Sequence, residues 1–187
     1  MRDGVREATA AIPPLRPPNV VSPPGRGRIR APTAAQGCLH CISHRERRSA
    51  SRCSRSAGSE NVSALKMCLP SEAGDIARFI TEAVLRAGGK PCPPVILGIG
   101  IGSTADGAMS LAKEALLRPL GEMNPLEQEI YDAVNALGIG PMGLGGKTTC
   151  LGGVRIREAG CHTASLPVAL NVQCWAARRA TVEVQYP

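Results

Sequence analysis

The sequence predicts a mixed α/β domain: a mixed sheet with flanking helices and glycine-rich loops, preceded by an N-terminal segment expected to be disordered. Three observations carry this. Val95-Ile96-Leu97-Gly98-Ile99-Gly100-Ile101 is a short apolar run bounded by turn residues, as a buried strand is. Apolar residues recur at helical spacing at Ile76, Ala77, Ile80, Val84 and Leu85 and stop at Gly88-Gly89. Val154-Arg155-Ile156-Arg157 alternates apolar and basic side chains, as a half-exposed strand would. Aromatic residues make up 2% of the chain, so the core must be built from Ala, Leu, Ile, Val and closely approaching backbone.

Residues 8–56 read differently. They are rich in Pro, Arg, Ser and Ala and show no sustained period. Such a segment buries too little apolar surface to offset chain entropy, so disorder is expected. Nine Arg and one acid, Glu46, put +8 of charge here. The net charge of the whole chain is +7, so the remainder carries −1. The basic balance therefore belongs to one segment, and no specific nucleic-acid partner is expected. Cys38-Leu39-His40-Cys41, with His44 and Cys53, has zinc-like spacing but no folded frame or second ligand pair beside it.

Order is expected from about residue 57. Ser71 suits a helix N-cap, with Glu72 near the positive end of the dipole. A second helix is expected from Ala105 to Leu117, ending before Pro119. Asn124, Pro125 and Glu127 supply a cap, an N1 proline and an N3 acid for a third, which carries Ile130, Val134 and Leu137. Leu166 to Cys174 reads as a strand, Trp175 to Arg179 as a short helical turn, and Thr181 to Val184 as a last strand.

Two glycine loops imitate nucleotide sites. Gly100-Ile101-Gly102-Ser103-Thr104-Ala105 fits GxGxxA, but no acid-terminated second strand follows. Gly146-Lys147-Thr148 resembles the end of a phosphate-binding loop, but Pro141 stands where its first glycine belongs. Both read more simply as tight backbone packing, or as amides and Lys147 offered to a carboxylate or inorganic cluster. Cys92 sits between prolines at a strand mouth, where it is either a core thiol or a ligand. His162, in a polar turn between two strands, is open to a structural or an active-site role. Eight cysteines scattered over 187 residues, with no secretory leader and no membrane-length apolar run, point to thiol or metal chemistry in a reducing, cytoplasmic setting.

Longer segments are more specific. GSENVSALKM (58–67), CPPVILGIGIGSTADGA (92–108) and the stretch 129–180, from EIYDAVNALGIG to NVQCWAARRA, closely resemble the α-subunit, or N-terminal catalytic domain, of iron–sulfur class I fumarate hydratases and L-tartrate dehydratases. Asp3 to Glu7 resembles the family's GVRE-type segment. The resemblance implies a hydro-lyase that hydrates or dehydrates a dicarboxylate, fumarate/malate or tartrate/oxaloacetate. It implies a [4Fe–4S] cluster held by three cysteines, whose open iron acts as a Lewis acid. Cys92 and Cys174 match two of those cysteines. His162 and Gly58 match substrate-contacting positions.

The first cluster cysteine of the family lies in a CQDTG motif upstream of GVRE, and this chain has none. Residues 8–56 match none of the family's intervening segment, although their length is similar. A compensated frameshift is the expected source, which divides the chain into 1–56, disordered or frameshifted, and 57–187, a partial catalytic domain. The proton-abstracting base of the family lies on a β-subunit or C-terminal domain, so no residue here is assigned as catalytic. That subunit and an oligomeric enzyme are the implied partners, with no membrane. The alternatives are an inactive fragment of such an enzyme and, more remotely, a basic nucleic-acid-binding protein.

Overall fold

In a computed structural model, residues 62–176 are described with their side chains, together with Glu7 and the backbone of three further strands. The strands are β1 (Leu39–Ser43), β2 (Ser49–Arg55), β3 (Ala64–Cys68), β4 (Val95–Ile101), β5 (Cys150–Glu158), β6 (Leu166–Gln173) and β7 (Arg178–Val184). The helices are α1 (Ile76–Ala87), α2 (Ala105–Ala115) and α3 (Pro125–Ala136). Four strands form a mixed sheet in the order β3-β6-β4-β5, as the α/β expectation requires. β4 runs parallel to β5 and antiparallel to β6, and β3 is antiparallel to β6. A separate antiparallel sheet has the order β1-β2-β7. Two of its strands fall inside residues 8–56, where no regular structure was expected; most of that segment lies outside the described residues.

β4 is buried along its whole length, and its two faces meet different partners. Val95, Leu97, Ile99 and Ile101 face a core shared with Phe79, Ile80 and Val84 of α1 and Ile130 and Val134 of α3. The opposite face carries Gly98 and Gly100, against which α2 lies. A Cβ at Gly100 would overlap the Ala108 carbonyl, and one at Gly98 the Ala112 carbonyl. Glycine is therefore required by the helix that crosses the strand. Ala108 and Ala112 complete that close contact, against Ala169 of β6.

Several local expectations are corrected. Ser71 does not cap a helix. Pro70–Asp75 forms a 3-10 turn first, and Asp75 precedes α1. Glu72 instead accepts the Leu69 N–H at 2.7 Å. Leu85 lies on the exposed side of α1, while Phe79 and Ala83 complete its buried stripe. Trp175 and Ala176 form a turn, and a strand rather than helix resumes at Arg178.

The largest correction concerns Arg155, which was expected on an exposed strand face and is 1% exposed. The link after α2 folds over it. Its guanidinium donates to the carbonyls of Pro119 at 2.9 Å and Gly121 at 3.1 Å, which keeps the buried charge hydrogen-bonded. It also lies 3.8 Å from Glu127.

Asn124 and Glu127 form the expected capping box, with reciprocal bonds of 2.8 and 3.0 Å. Glu127 does more than cap. It is fully buried, accepts from Arg118 at 2.7 Å, and accepts the Ile156 N–H of β5 at 2.7 Å. Arg118 donates to the Ile156 carbonyl, also at 2.7 Å. The outer edge of β5 is thus closed by side chains at this point, which removes a site for strand addition.

Candidate functional site

The antiparallel pairing of β4 and β6 decides which cysteines meet. Ile96 pairs with Gln173, so the mouth of β4 adjoins the exit of β6. Cys92 lies before the first strand and Cys174 directly after the second. The Trp175 N–H donates to the Cys92 carbonyl at 3.4 Å, joining the two segments. β5 runs parallel to β4, so Cys150 and the glycine-rich loop before it enter at the same rim. The Met142 N–H donates to the Pro93 carbonyl and the Val95 N–H to the Thr149 carbonyl, both at 2.8 Å.

Cys92 is exposed and has φ +54°. The residue before a proline normally takes an extended conformation. The left-handed geometry costs about 1 kcal/mol for a residue with a Cβ. Strain of this kind persists where surrounding contacts impose it, and such places cluster at functional sites. Cys174 is buried, at 5% exposure.

Cys150 shares the rim but is turned into the core. Its thiol donates to the Gly153 carbonyl at 3.6 Å, and burial pushes its pKa up to about 12. At that value the free thiol stays protonated at ordinary pH. Cys68 ends β3 opposite Leu166, at the other rim, and burial raises its pKa as well.

Most amides of the glycine loops bond within the chain. Gly102 N–H donates to Pro167 and Ser103 N–H to Gly160, so these amides are spent within the fold. Asp106 occupies the first turn of α2, and the Thr104 hydroxyl at 2.6 Å holds its carboxyl below the usual carboxylate range. In the second loop the amides of Gly143, Leu144, Gly145 and Gly146 donate to carbonyls of residues 138–141. Tight backbone packing accounts for these amides in both loops.

His162 lies in the turn between β5 and β6, at the rim opposite Cys92 and Cys174. The seven residues of β4 separate the two rims by about 20 Å. His162 is exposed, and its Nδ1 accepts the Ala164 N–H at 3.2 Å. The fold therefore brings together Cys92 and Cys174 but not His162. Gly58, like the side chains of Cys38, Cys41 and Cys53, lies outside the described residues.

Asn135 was missed in the sequence. Its Oδ1 accepts the N–H groups of Thr149 at 2.8 Å and Cys150 at 2.9 Å, tying the end of α3 to the start of β5 at the cysteine rim. Nothing in its local pattern distinguishes it from a solvent-facing helix residue. Its partners are 14 and 15 positions away.

Two thiols at one rim fit part of the ligand set that an iron–sulfur cluster needs. Among the described residues, no group of three His, Cys, Asp or Glu side chains is placed to hold a metal ion. No described helix is long and apolar enough to cross a membrane.

The chain is similar to known proteins over most of its length. The chain is 46% identical over 198 aligned residues to the putative L(+)-tartrate dehydratase subunit alpha of Methanocaldococcus jannaschii, covering 99% of this chain and 68% of that protein. It is 36% identical over 126 residues to the L(+)-tartrate dehydratase subunit alpha of Escherichia coli, covering 64% of this chain and 41% of that protein. The Shigella sonnei protein of the same description matches to the same extent. The family described as fumarate hydratase (Fumerase) matches residues 1–183, and the chain belongs to that family.

Proposed function

We propose that this chain is the α-type part of an iron–sulfur hydro-lyase acting on a 2-hydroxy dicarboxylate or its dehydrated product. The observation that carries the reading is the meeting of Cys92 and Cys174 at one rim, through the Trp175 N–H to Cys92 carbonyl bond. Cys92 and Cys174 would supply two of the thiolates of a [4Fe–4S] cluster. The third would come from outside the described residues. When bound, the cluster supplies an open iron that acts as a Lewis acid toward hydroxyl and carboxylate oxygens.

The chain's own residues build the seat. The Pro91–Pro94 turn presents the Cys92 thiol outward. β6 carries Cys174 to the same place, and the glycine loop bonds against Pro93. Asn135 fixes the start of β5 beside them. Cys150 is fully buried and bonded to the Gly153 carbonyl, which leaves the ligand set to the other thiols.

Gly58 enters the proposal as a substrate contact through the resemblance alone. His162, at the other rim, would meet a substrate beside Cys92 only across a contact between subunits. That fits the oligomeric enzyme and the β-subunit or C-terminal domain implied by relatives named alpha subunits. Those names also favour tartrate over fumarate as the substrate. Without the partner subunit or domain, the chain is expected to be inactive.

Anaerobic reconstitution with iron and sulfide tests the reading, with and without the partner subunit. Visible absorbance from a bound cluster, lost in Cys92→Ala and in Cys174→Ala, supports it. Iron uptake that ignores both substitutions overturns it, as does no uptake even with the partner present. Assays of tartrate and malate dehydration on the reconstituted complex then choose the substrate.

A further inference from the structure

The five described cysteines are free thiols, and the fold sorts them sharply. Cys68 is packed into the core at the far rim, beside Ile76 and Phe79. Cys161 is exposed, but it belongs to the β5–β6 turn, also at the far rim. Cys150 is fully buried and bonded to Gly153. Cys92 and Cys174 remain, on segments joined by a backbone hydrogen bond, one thiol exposed and the other sheltered. That bond keeps their Cα atoms within about 8 Å by covalent geometry alone. A disulfide needs them within about 7 Å with their Cβ atoms turned toward each other, a geometry that movement of the Pro91–Pro94 turn would have to complete.

We propose that Cys92 and Cys174 form a redox pair that closes to a disulfide when the rim carries no metal and meets a peroxide. The exposed Cys92 sulfur attacks hydrogen peroxide. The O–O bond breaks, Cys92 becomes a sulfenic acid, and one water leaves. The Cys174 sulfur then attacks the Cys92 sulfur, the S–O bond breaks, and a second water leaves. Two thiols lose one electron and one proton each. One peroxide takes up both and becomes two waters.

The pairing stands on the rim geometry and holds whether or not the two thiols ligate iron. Its consequence rests on the cluster reading. One two-electron oxidation withdraws both donor sulfurs together, protects the exposed thiol from irreversible oxidation, and leaves a state that a thiol reductant restores.

The test uses the full chain, reduced, stripped of metal with a chelator, and treated with equimolar hydrogen peroxide before quenching with N-ethylmaleimide. Intact mass should fall by two hydrogens before alkylation. Tryptic mapping should link the peptide spanning 87–113 to the one spanning 158–178, with Cys161 carrying the maleimide. Dithiothreitol should reverse the link. Cys92→Ser and Cys174→Ser should each abolish it, and Cys161→Ser should leave it intact.

Cys92 recovered as a sulfinic acid with Cys174 alkylated overturns the proposal. So does Cys92 linked mainly to any other cysteine. The wild-type map decides even if a variant fails to fold. Because the readout is a covalent link and not iron uptake, its failure is distinguishable from failure of the cluster reading.

Discussion

Glu127 accepts the backbone N–H of Ile156 at 2.7 Å, so the acid that starts a helix also closes the edge of the sheet. One carboxylate satisfies the cap of α3, the Arg118 guanidinium and a strand amide. Removing it leaves Arg118 and Arg155 without their shared anion and an edge amide without its acceptor. Glu127→Ala should therefore destabilise the fold by about 3–5 kcal/mol, the usual cost of breaking a buried ion pair. Urea denaturation measures this, and a loss below 1 kcal/mol would mean that the network relaxes or admits water.

Gly100 separates packing from ligand binding. Gly100→Ala would drive a Cβ into the Ala108 carbonyl and push α2 off the sheet. The expected loss is about 1–3 kcal/mol or more, from overpacking. Denaturation midpoints should fall, and a nucleotide added to the wild type should not raise them. Stabilisation by ATP or NAD would reopen the phosphate-loop reading.

Cys150 sets an alkaline limit. Its folded pKa, about 12, lies above its ordinary value of 9.0, so the folded state holds the proton more tightly than the unfolded chain. That contribution is fully present below pH 9 and is lost as pH climbs toward 12. Three units correspond to about 4 kcal/mol at most. Cys150→Ala should flatten this part of the stability–pH curve, at the cost of a small cavity near neutrality. An unchanged slope between pH 9 and 11 would show that the thiol is not the group responsible.

Cys92 holds a backbone geometry that suits glycine. Cys92→Gly should relieve the φ +54° strain and stabilise the chain by up to about 1 kcal/mol, less the entropy glycine adds to the unfolded state. The same substitution should abolish cluster loading. A variant that is both less stable and fully loaded would contradict the placement of the residue.

Residues 8–56 make a genetic prediction. Translation of the coding sequence in the other two frames should yield, over this stretch, a peptide that resembles the corresponding segment of the family. Failure in both frames removes the frameshift proposal.

The sheet and its helices were legible because their signals are local. β4 is a continuous apolar run, and α3 announces itself with Asn124, Pro125 and Glu127. Ser71 misled because Pro70 begins a 3-10 turn that delays the helix, and a cap residue carries no information about that delay. Arg155 misled because alternation reports only the strand's own faces, not the loop that folds over one of them. The thiol pair was legible only through resemblance. No spacing rule connects Cys92 to Cys174, because what joins them is the register of two antiparallel strands. The opposite placement of His162 follows from the same register and is invisible to a motif.

That register acts as a ruler. Ile96 opposite Gln173 fixes where the β6 chain leaves the sheet relative to Pro91–Pro94. A slip of β6 by one residue would turn Cys174 to the other face and carry Trp175 past its acceptor. Spacing between the two sulfurs is thus calibrated by hydrogen bonds several residues away. A substitution deep in β6, touching neither thiol, could detune the pair as thoroughly as deleting one of them.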